Sequence, residues 1–428
     1  MLSKKIIALI LILVMIEYSH AQQRGVRFGG YSSLKEAMAR AKTENKYLFI
    51  DVFATWCGPC KNMDQYIYPN DTVGNLVNSR FIAIKVQADT GKADDNNIRE
   101  WYADARQVMR QYTVNAFPTF LFFDPDGKLV HRGIGFKDKD EFVALLNDAT
   151  DARRQYYTVK ESYEKGIKDY AVLPRLSAMA REFNEKGFSQ VVATDYIDDY
   201  LMSAKEEELY TKDNLLFIAG NIASSKQPAF RLFINNSDRI NTITERRNLS
   251  NLVIDYIVYK EEIAPAMKEK GNATTDLNWN AIHKGIAKKY DRATADRNVL
   301  ESKIRWYGAK KEWSRFSDAL MAKLRKIGID TTSGMGDLSL NDNLWMVFLH
   351  CNDKKELTEA AKIMEGVVRR DPSDAISMDT YANLLYKIGR RSEALQWEGK
   401  ALELSNGMKE IAEALDKMKK GEKTWPAQ

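Results

Sequence analysis

The chain has 428 residues, enough for two or three domains. Its 64 Lys and Arg stand against 59 Asp and Glu, a net charge of +5, which describes a mixed solvated surface and excludes a strongly basic nucleic-acid footprint. With three cysteines, Cys57, Cys60 and Cys351, it also lacks the cysteine density of a secreted disulfide scaffold.

The first 21 residues have the pattern of a cleaved signal peptide. Lys4 and Lys5 precede an apolar run from Ile6 to Ile16, and Ser19-His20-Ala21 supplies small residues for cleavage. As a helix that run spans roughly 17 Å, against about 30 Å for a bilayer core, so a leader is expected rather than a permanent anchor. No cysteine follows the cleavage point, so a bacterial-lipoprotein anchor is not expected. The mature chain is expected to begin near Gln22, in the periplasm or otherwise secreted, in an oxidising compartment.

Ser32 to Asn45 predicts a helix, with Ser32 or Ser33 as cap and Leu34, Ala37, Met38 and Ala41 on one face. Tyr47 to Ala54 is an almost unbroken apolar strand, the pattern of burial on both faces, interrupted by Asp51. Gly58 to Tyr68 predicts a helix and Phe81 to Val86 a second apolar strand. Thr90 to Asp104 is polar and charged, and Ala105 to Tyr112 resumes a helical pattern. A strand at Phe120 to Phe123 meets the turn Asp124-Pro125-Asp126-Gly127 and a partner strand, Lys128 to Arg132. Lys137 to Asp148 closes the unit as a helix. This order suits a mixed central sheet with helices on both faces.

Strand-like alternation stops near residue 150, and 155–428 reads as amphipathic helices. Residues 341–374 align with 375–408. Glu359-Ala360 falls on Glu393-Ala394, Val367 on Ala401, and Cys351 on Leu385. Small residues such as Ala382, Ala394 and Ala401 let two helices pack closely, and Gly389 lets the chain turn between them. Cys351 is expected to be a buried helix thiol. His131, beside Arg132, is expected to be a solvated strand residue. The Lys and Arg runs are expected to be helix surface.

The chemistry concentrates in Asp51-Val52-Phe53-Ala54-Thr55-Trp56-Cys57-Gly58-Pro59-Cys60, a strand running into a turn and a helix. A thiol at a helix N-terminus faces unpaired N–H groups and the positive end of the dipole, which favours its thiolate. An ordinary cysteine titrates near pH ~8.5, and a fall of one or two units makes it a competent nucleophile. The spacing lets a second sulfur attack a mixed disulfide formed on the first. The alternatives are a structural zinc half-site or an inert disulfide. Zinc needs about four ligands, and only His131, His283 and His350 remain in the mature chain beside Cys351. Asp51 is costly to bury ionised, so burial should raise its pKa.

Trp56-Cys57-Gly58-Pro59-Cys60-Lys61 resembles the active site of the thioredoxin superfamily, and the resemblance covers roughly residues 27–150. The second repeat copy, from Tyr381 to Leu402, resembles the tetratricopeptide repeat. Together these imply an α/β thioredoxin-like domain at 22–150, with a mixed central sheet and helices on both faces. A helical region at 151–340 with possible degenerate repeats follows, then two tetratricopeptide-like repeats at 341–408 and a C-terminal helix and tail at 409–428.

The resemblance assigns roles residue by residue. It implies Cys57 as the exposed attacking thiolate, Cys60 as the resolving thiol, Asp51 as the acceptor of the Cys60 proton and Lys85 as the cation beside Asp51. It implies a cis peptide before Pro118. Trp56, Gly58, Pro59, Phe117, Pro118 and Gly135 would line the substrate groove. The Gly-Pro between the cysteines resembles reducing members, so an exported protein-disulfide reductase is expected, with oxidase or isomerase as alternatives. No cofactor and no metal are expected. The expected partners are protein disulfides, a membrane thiol electron donor, and a protein bound by the helical repeats; nucleic acid is not. A different reading makes the helical part a partner-binding module and the thioredoxin-like part a structural or weakly active appendage.

Overall fold

The computed structural model describes residues 25–271, 276–329 and 334–426. The expected leader lies outside the described residues. The chain divides into two compact units, Met1–Tyr200 and Leu201–Gln428.

The first unit is built on four strands: β1 (Tyr47–Phe53), β2 (Phe81–Gln87), β3 (Thr119–Phe123) and β4 (Leu129–Ile134). Their order in the sheet is β2-β1-β3-β4. β1 pairs with β2 in parallel, while β1–β3 and β3–β4 are antiparallel. A parallel neighbour requires a long crossover and an antiparallel one only a turn. The turn Asp124 to Gly127 accordingly joins β3 to β4.

Both faces of β1 are buried, as its apolar run predicts. Leu48, Ile50 and Val52 point into one core with Leu121, Phe123 and Val108. Phe49 points into the other with Phe120, Phe122, Phe142 and Met63, and stacks on Phe122 at 5.2 Å. Side chains alternate along a strand, so Asp51 falls on the Phe49 side.

Helices α1 (Leu34–Glu44), α2 (Gly58–Asn62), α3 (Asp71–Arg80), α4 (Asn96–Glu100), α5 (Tyr102–Gln111) and α6 (Lys139–Thr150) complete this part. Ser33 caps α1, and Asp138 with Glu141 forms a capping box on α6. The helix expected over Gly58 to Tyr68 is not uniform: α2 opens into a π-helical turn, Met63–Ile67. α3 is absent from the sequence expectation. Its sequence is poor in helix formers, but Asn70 caps it by accepting from the Thr72 and Val73 N–H groups. Gly74 within α3 is required by packing, because a Cβ there would lie 2.4 Å from the Gly25 backbone. The polar, charged stretch 90–104 contains the short α4 and the start of α5.

Three further helices of the first unit, α7 (Tyr156–Glu164), α8 (Leu173–Glu182) and α9 (Lys186–Asp195), follow α6. Part of this segment covers β4, which corrects the reading of His131 as solvated. His131 is fully buried, and its Nδ1 accepts from the Tyr156 N–H at 3.0 Å. Arg132, also buried, lies over the Phe183 ring at 5.1 Å. Two polar residues in succession suggest a wet strand; only the helices after residue 150 remove that water.

The second unit is helical throughout its described residues. Both copies of the 34-residue alignment fold as helix–turn–helix, Gly334–His350 with Lys354–Arg370, and Ala375–Lys387 with Arg391–Leu404. Aligned positions share burial: Ala360 with Ala394, Phe348 with Ala382, Val367 with Ala401. Cys351 is buried as expected, but lies just past its helix rather than within it. Its Sγ donates to Glu356 Oε2 at 3.4 Å, and burial pushes the thiol up to about 11. No helix among the described residues is long and apolar enough to cross a membrane.

Candidate active site

β1 delivers the chain to the site. After Phe53, the Thr55 N–H donates to Asp89 Oδ1 at 3.0 Å, and the Thr55 hydroxyl donates to the same carboxylate. Asp89 follows β2, so this loop is tied to the neighbouring strand. Cys57 then occupies the N-cap of α2 in extended conformation, and Pro59 sits in the first turn, where its missing N–H costs nothing. The Cys57 sulfur accepts from the Cys60 N–H at 3.2 Å. It thus takes one of the donors that would stabilise a thiolate. Cys57 and Cys60 are joined as a disulfide, with Cα atoms 5.3 Å apart.

The exposure of this pair corrects the sequence reading. Cys57 was expected to be exposed, yet Cys57 and Cys60 are each 3% accessible. The residues around them are not covered: Trp56 is 69% accessible, and Gly58 and Pro59 are exposed. The sulfurs therefore lie just beneath an exposed turn. Phe53, Ala54 and Phe117 pack against them.

The Phe117–Pro118 peptide is cis, as the resemblance implies. Phe117 packs on the cysteine pair and meets the Trp56 ring edge-on at 5.9 Å. The Gly135 N–H donates to the Pro118 carbonyl at 2.8 Å. Gly135 has φ +77°, a conformation that L side chains rarely adopt, with open space around it. The loop before β3 and the end of β4 are thus joined beside the disulfide. Trp56, Phe117, Pro118 and Gly135 are brought together; Gly58 and Pro59 lie on the turn itself.

Asp51 lies deeper, 1% accessible. Tyr68 donates its hydroxyl to Asp51 Oδ2 at 2.8 Å. Lys85, the register partner on β2, holds Nζ 3.7 Å from the same oxygen. Oδ1 has no hydrogen-bond partner among the described residues. Burial raises the Asp51 carboxyl to about 6, with the Lys85 charge and the Tyr68 hydrogen bond opposing it. A carboxyl poised near neutrality can exchange a proton within the physiological range.

Two residues of this cluster escape sequence reading, Tyr68 and Asp64. Asp64 ion-pairs with Lys85. The ammonium also lies 4.6 Å from the Phe53 ring centroid, 5.5 Å from Tyr68 and 5.6 Å from Phe28. Asp64 and Tyr68 are four residues apart, a helical spacing that places them on one side. The π-helical turn that presents them is not legible in the sequence.

A family model described as a thioredoxin-like domain matches residues 34–150. Over 100 residues the chain is 37% identical to a thioredoxin of Chlamydia caviae, covering 23% of this chain and 79% of that one. Over 134 residues it is 25% identical to the thiol:disulfide interchange protein DsbD of Actinobacillus pleuropneumoniae, covering 30% of this chain but 21% of that relative's length. A solved putative disulphide-isomerase from Bacteroides thetaiotaomicron is 32% identical, covers 30% of this chain and 93% of its own, and has a TM-score of 0.24. The thioredoxin match spans most of that relative at an identity well above chance, and the chain carries the bonded cysteine pair that such chemistry requires; it belongs to the thioredoxin-like family of thiol–disulfide oxidoreductases.

Proposed function

We propose that this protein is an exported reductase of protein disulfides. The observation that carries the reading is the Cys57–Cys60 disulfide at the start of α2, packed against Phe117 of the cis-proline loop. In the reduced protein the Cys57 thiolate attacks one sulfur of a substrate disulfide. A Cys57–substrate bond forms as the substrate's own S–S bond breaks, and the leaving sulfur departs with the electron pair and takes a proton from water. Cys60 passes its proton to Asp51, attacks Cys57 Sγ and displaces the second substrate thiolate, which is protonated by water. The substrate gains two electrons from the dithiol and two protons from water; the Cys60 proton rests on Asp51, and the Cys57 proton had already gone to solvent when its thiolate formed. A thiol donor, proposed to be membrane-bound, returns the electrons. Trp56, Gly58, Pro59, Phe117, Pro118 and Gly135 form the proposed substrate groove, and Lys85 is the proposed cation beside Asp51.

The reducing direction is supported by the Gly-Pro between the cysteines, and export by the apolar leader pattern. A reductase of this fold has a potential near about −270 mV, a strong oxidant one near about −120 mV, so equilibration with glutathione tests the direction. Cys57→Ser should abolish insulin-disulfide reduction; activity equal to the unaltered protein would overturn the mechanism.

We further propose that the helical unit recruits a partner or substrate, with 341–408 as two tetratricopeptide-like repeats. A groove within that unit supports this. It is lined by Leu252, Tyr256, Tyr259, Arg297 and Ile327, and Leu252 and Tyr256, one helical turn apart, are 66% and 60% accessible. Large exposed apolar side chains in a groove mark an interaction surface. Leu252→Glu with Tyr256→Glu in the full chain should weaken protein-substrate turnover while sparing that of a small disulfide.

A further inference from the structure

Among the described residues Asp51 has one nearby cation, Lys85, and that cation has two claimants. Lys85 Nζ is in direct contact with Asp64 Oδ1 but 3.7 Å from Asp51 Oδ2. Coulomb attraction falls with separation and with the dielectric between the charges, so the ammonium is spent mainly on the outer carboxylate. Asp64 can hold it cheaply, because its side chain is 48% accessible and keeps its hydration, whereas Asp51 is 1% accessible. The rings of Phe53, Tyr68 and Phe28 surround the ammonium and limit its freedom to move between the two. Tyr68 makes the opposite contribution. Its hydroxyl donates directly to Asp51 Oδ2, and a donor to a carboxylate favours the ionised form. From β3, the register partner of Asp51 is Phe120, which brings no charge.

We propose that Asp64 and Tyr68 are opposed positioning residues that together set the pH at which Asp51 accepts the Cys60 proton, Asp64 by holding Lys85 off the buried carboxylate and Tyr68 by bonding to it. This rests on the reading of Asp51 as that acceptor. Beside burial, which raises the Asp51 carboxyl most, the neighbours act with the signs this requires: Lys85 and the Tyr68 hydroxyl lower it, and the Asp64 charge raises it. Losing Asp64 removes a neighbouring negative charge and frees Lys85 to close on Asp51. The acceptor would then stay ionised to lower pH and bind its proton more weakly. Losing the Tyr68 hydroxyl does the reverse.

The resolving step can be read alone. Reduced protein, in a Cys351→Ser background, is mixed with one equivalent of dithiobis-nitrobenzoate. The first thionitrobenzoate leaves when Cys57 attacks, and the second when Cys60 displaces it from Cys57. The rate of the second release is followed against pH. In the otherwise unaltered protein it should rise with pH, and Asp51→Asn should remove that rise. Asp64→Asn should move the midpoint to lower pH and Tyr68→Phe to higher pH, while Asp64→Glu should restore it. Below the midpoint, a displacement of one pH unit changes the rate about tenfold. If Asp51→Asn removes the rise but Asp64→Asn and Tyr68→Phe leave the midpoint in place, or move it in the same direction, the positioning inference is wrong and the role of Asp51 stands. If Asp51→Asn keeps the rise, the role of Asp51 itself falls, and the inference with it. Asp64 is half exposed and Tyr68→Phe keeps the ring, so both variants should fold.

Discussion

Replacing Asp51 with Asn should stabilise the oxidised protein, and only above a defined pH. The carboxyl titrates at 3.8 when unperturbed and at about 6 in the fold, chiefly because burial penalises its charge. Between those values the folded chain holds a proton that the unfolded chain has released. Folding stability therefore falls as pH rises through 3.8, and the loss is complete above about 6. At ~1.36 kcal/mol per pH unit the full penalty is about 3 kcal/mol. Asn keeps the shape and an oxygen to accept from Tyr68, but carries no charge. Lys85 retains Asp64 as its partner, so no buried cation is stranded. Asp51→Asn should thus gain about 3 kcal/mol at pH 8 and almost nothing at pH 4. A chain of two compact units need not unfold in one step, so the suitable probe is hydrogen exchange of the β1 amides, Tyr47–Phe53. Opening free energies of the two proteins would be compared at both pH values. A gain of equal size at pH 4 and pH 8 would refute the reasoning, since it would come from packing rather than charge. A loss at pH 8 would mean that Lys85 needs Asp51 more than burial opposes it.

Two other expectations concern the frame around the site. Gly135→Ala places a Cβ at φ +77°, which should cost about 1–2 kcal/mol and weaken the Gly135–Pro118 hydrogen bond; urea denaturation should show an earlier first transition, with thiol–disulfide exchange slowed. His131 is buried neutral, its pKa pushed down to about 3 by burial and then by the Arg175 charge. The unfolded chain binds a proton below about 6.5 that the fold refuses, so each pH unit below 6.5 should cost ~1.4 kcal/mol until about 3. Proton NMR should show the His131 ring signals unmoved down to pH 4.

Much of the first unit was legible because its signals are local. The apolar run of β1, the turn after β3 and the Ser33 cap each follow from side chains within a few residues of one another. The cysteine pair was legible for the same reason, since a spacing of three residues brings both sulfurs to one helix end. α3 was not legible: Thr72, Val73, Gly74 and Asn75 weaken any propensity reading, and Gly74 is explained only by the Gly25 backbone lying against it. His131 and Arg132 gave a false reading, because alternation along a strand says which face a residue takes but not what covers that face.

The amino-acid order alone determined that a dithiol sits where a buried strand meets a helix, because hydrophobic period and helix-end chemistry act over short stretches of chain. It could not determine how accessible Cys57 is, nor which acid claims Lys85. Those depend on Phe117, Tyr68 and Asp64 arriving from other parts of the chain, and on a widened helical turn. Charge energies vary with distance and burial, and both exist only once the chain has closed on itself.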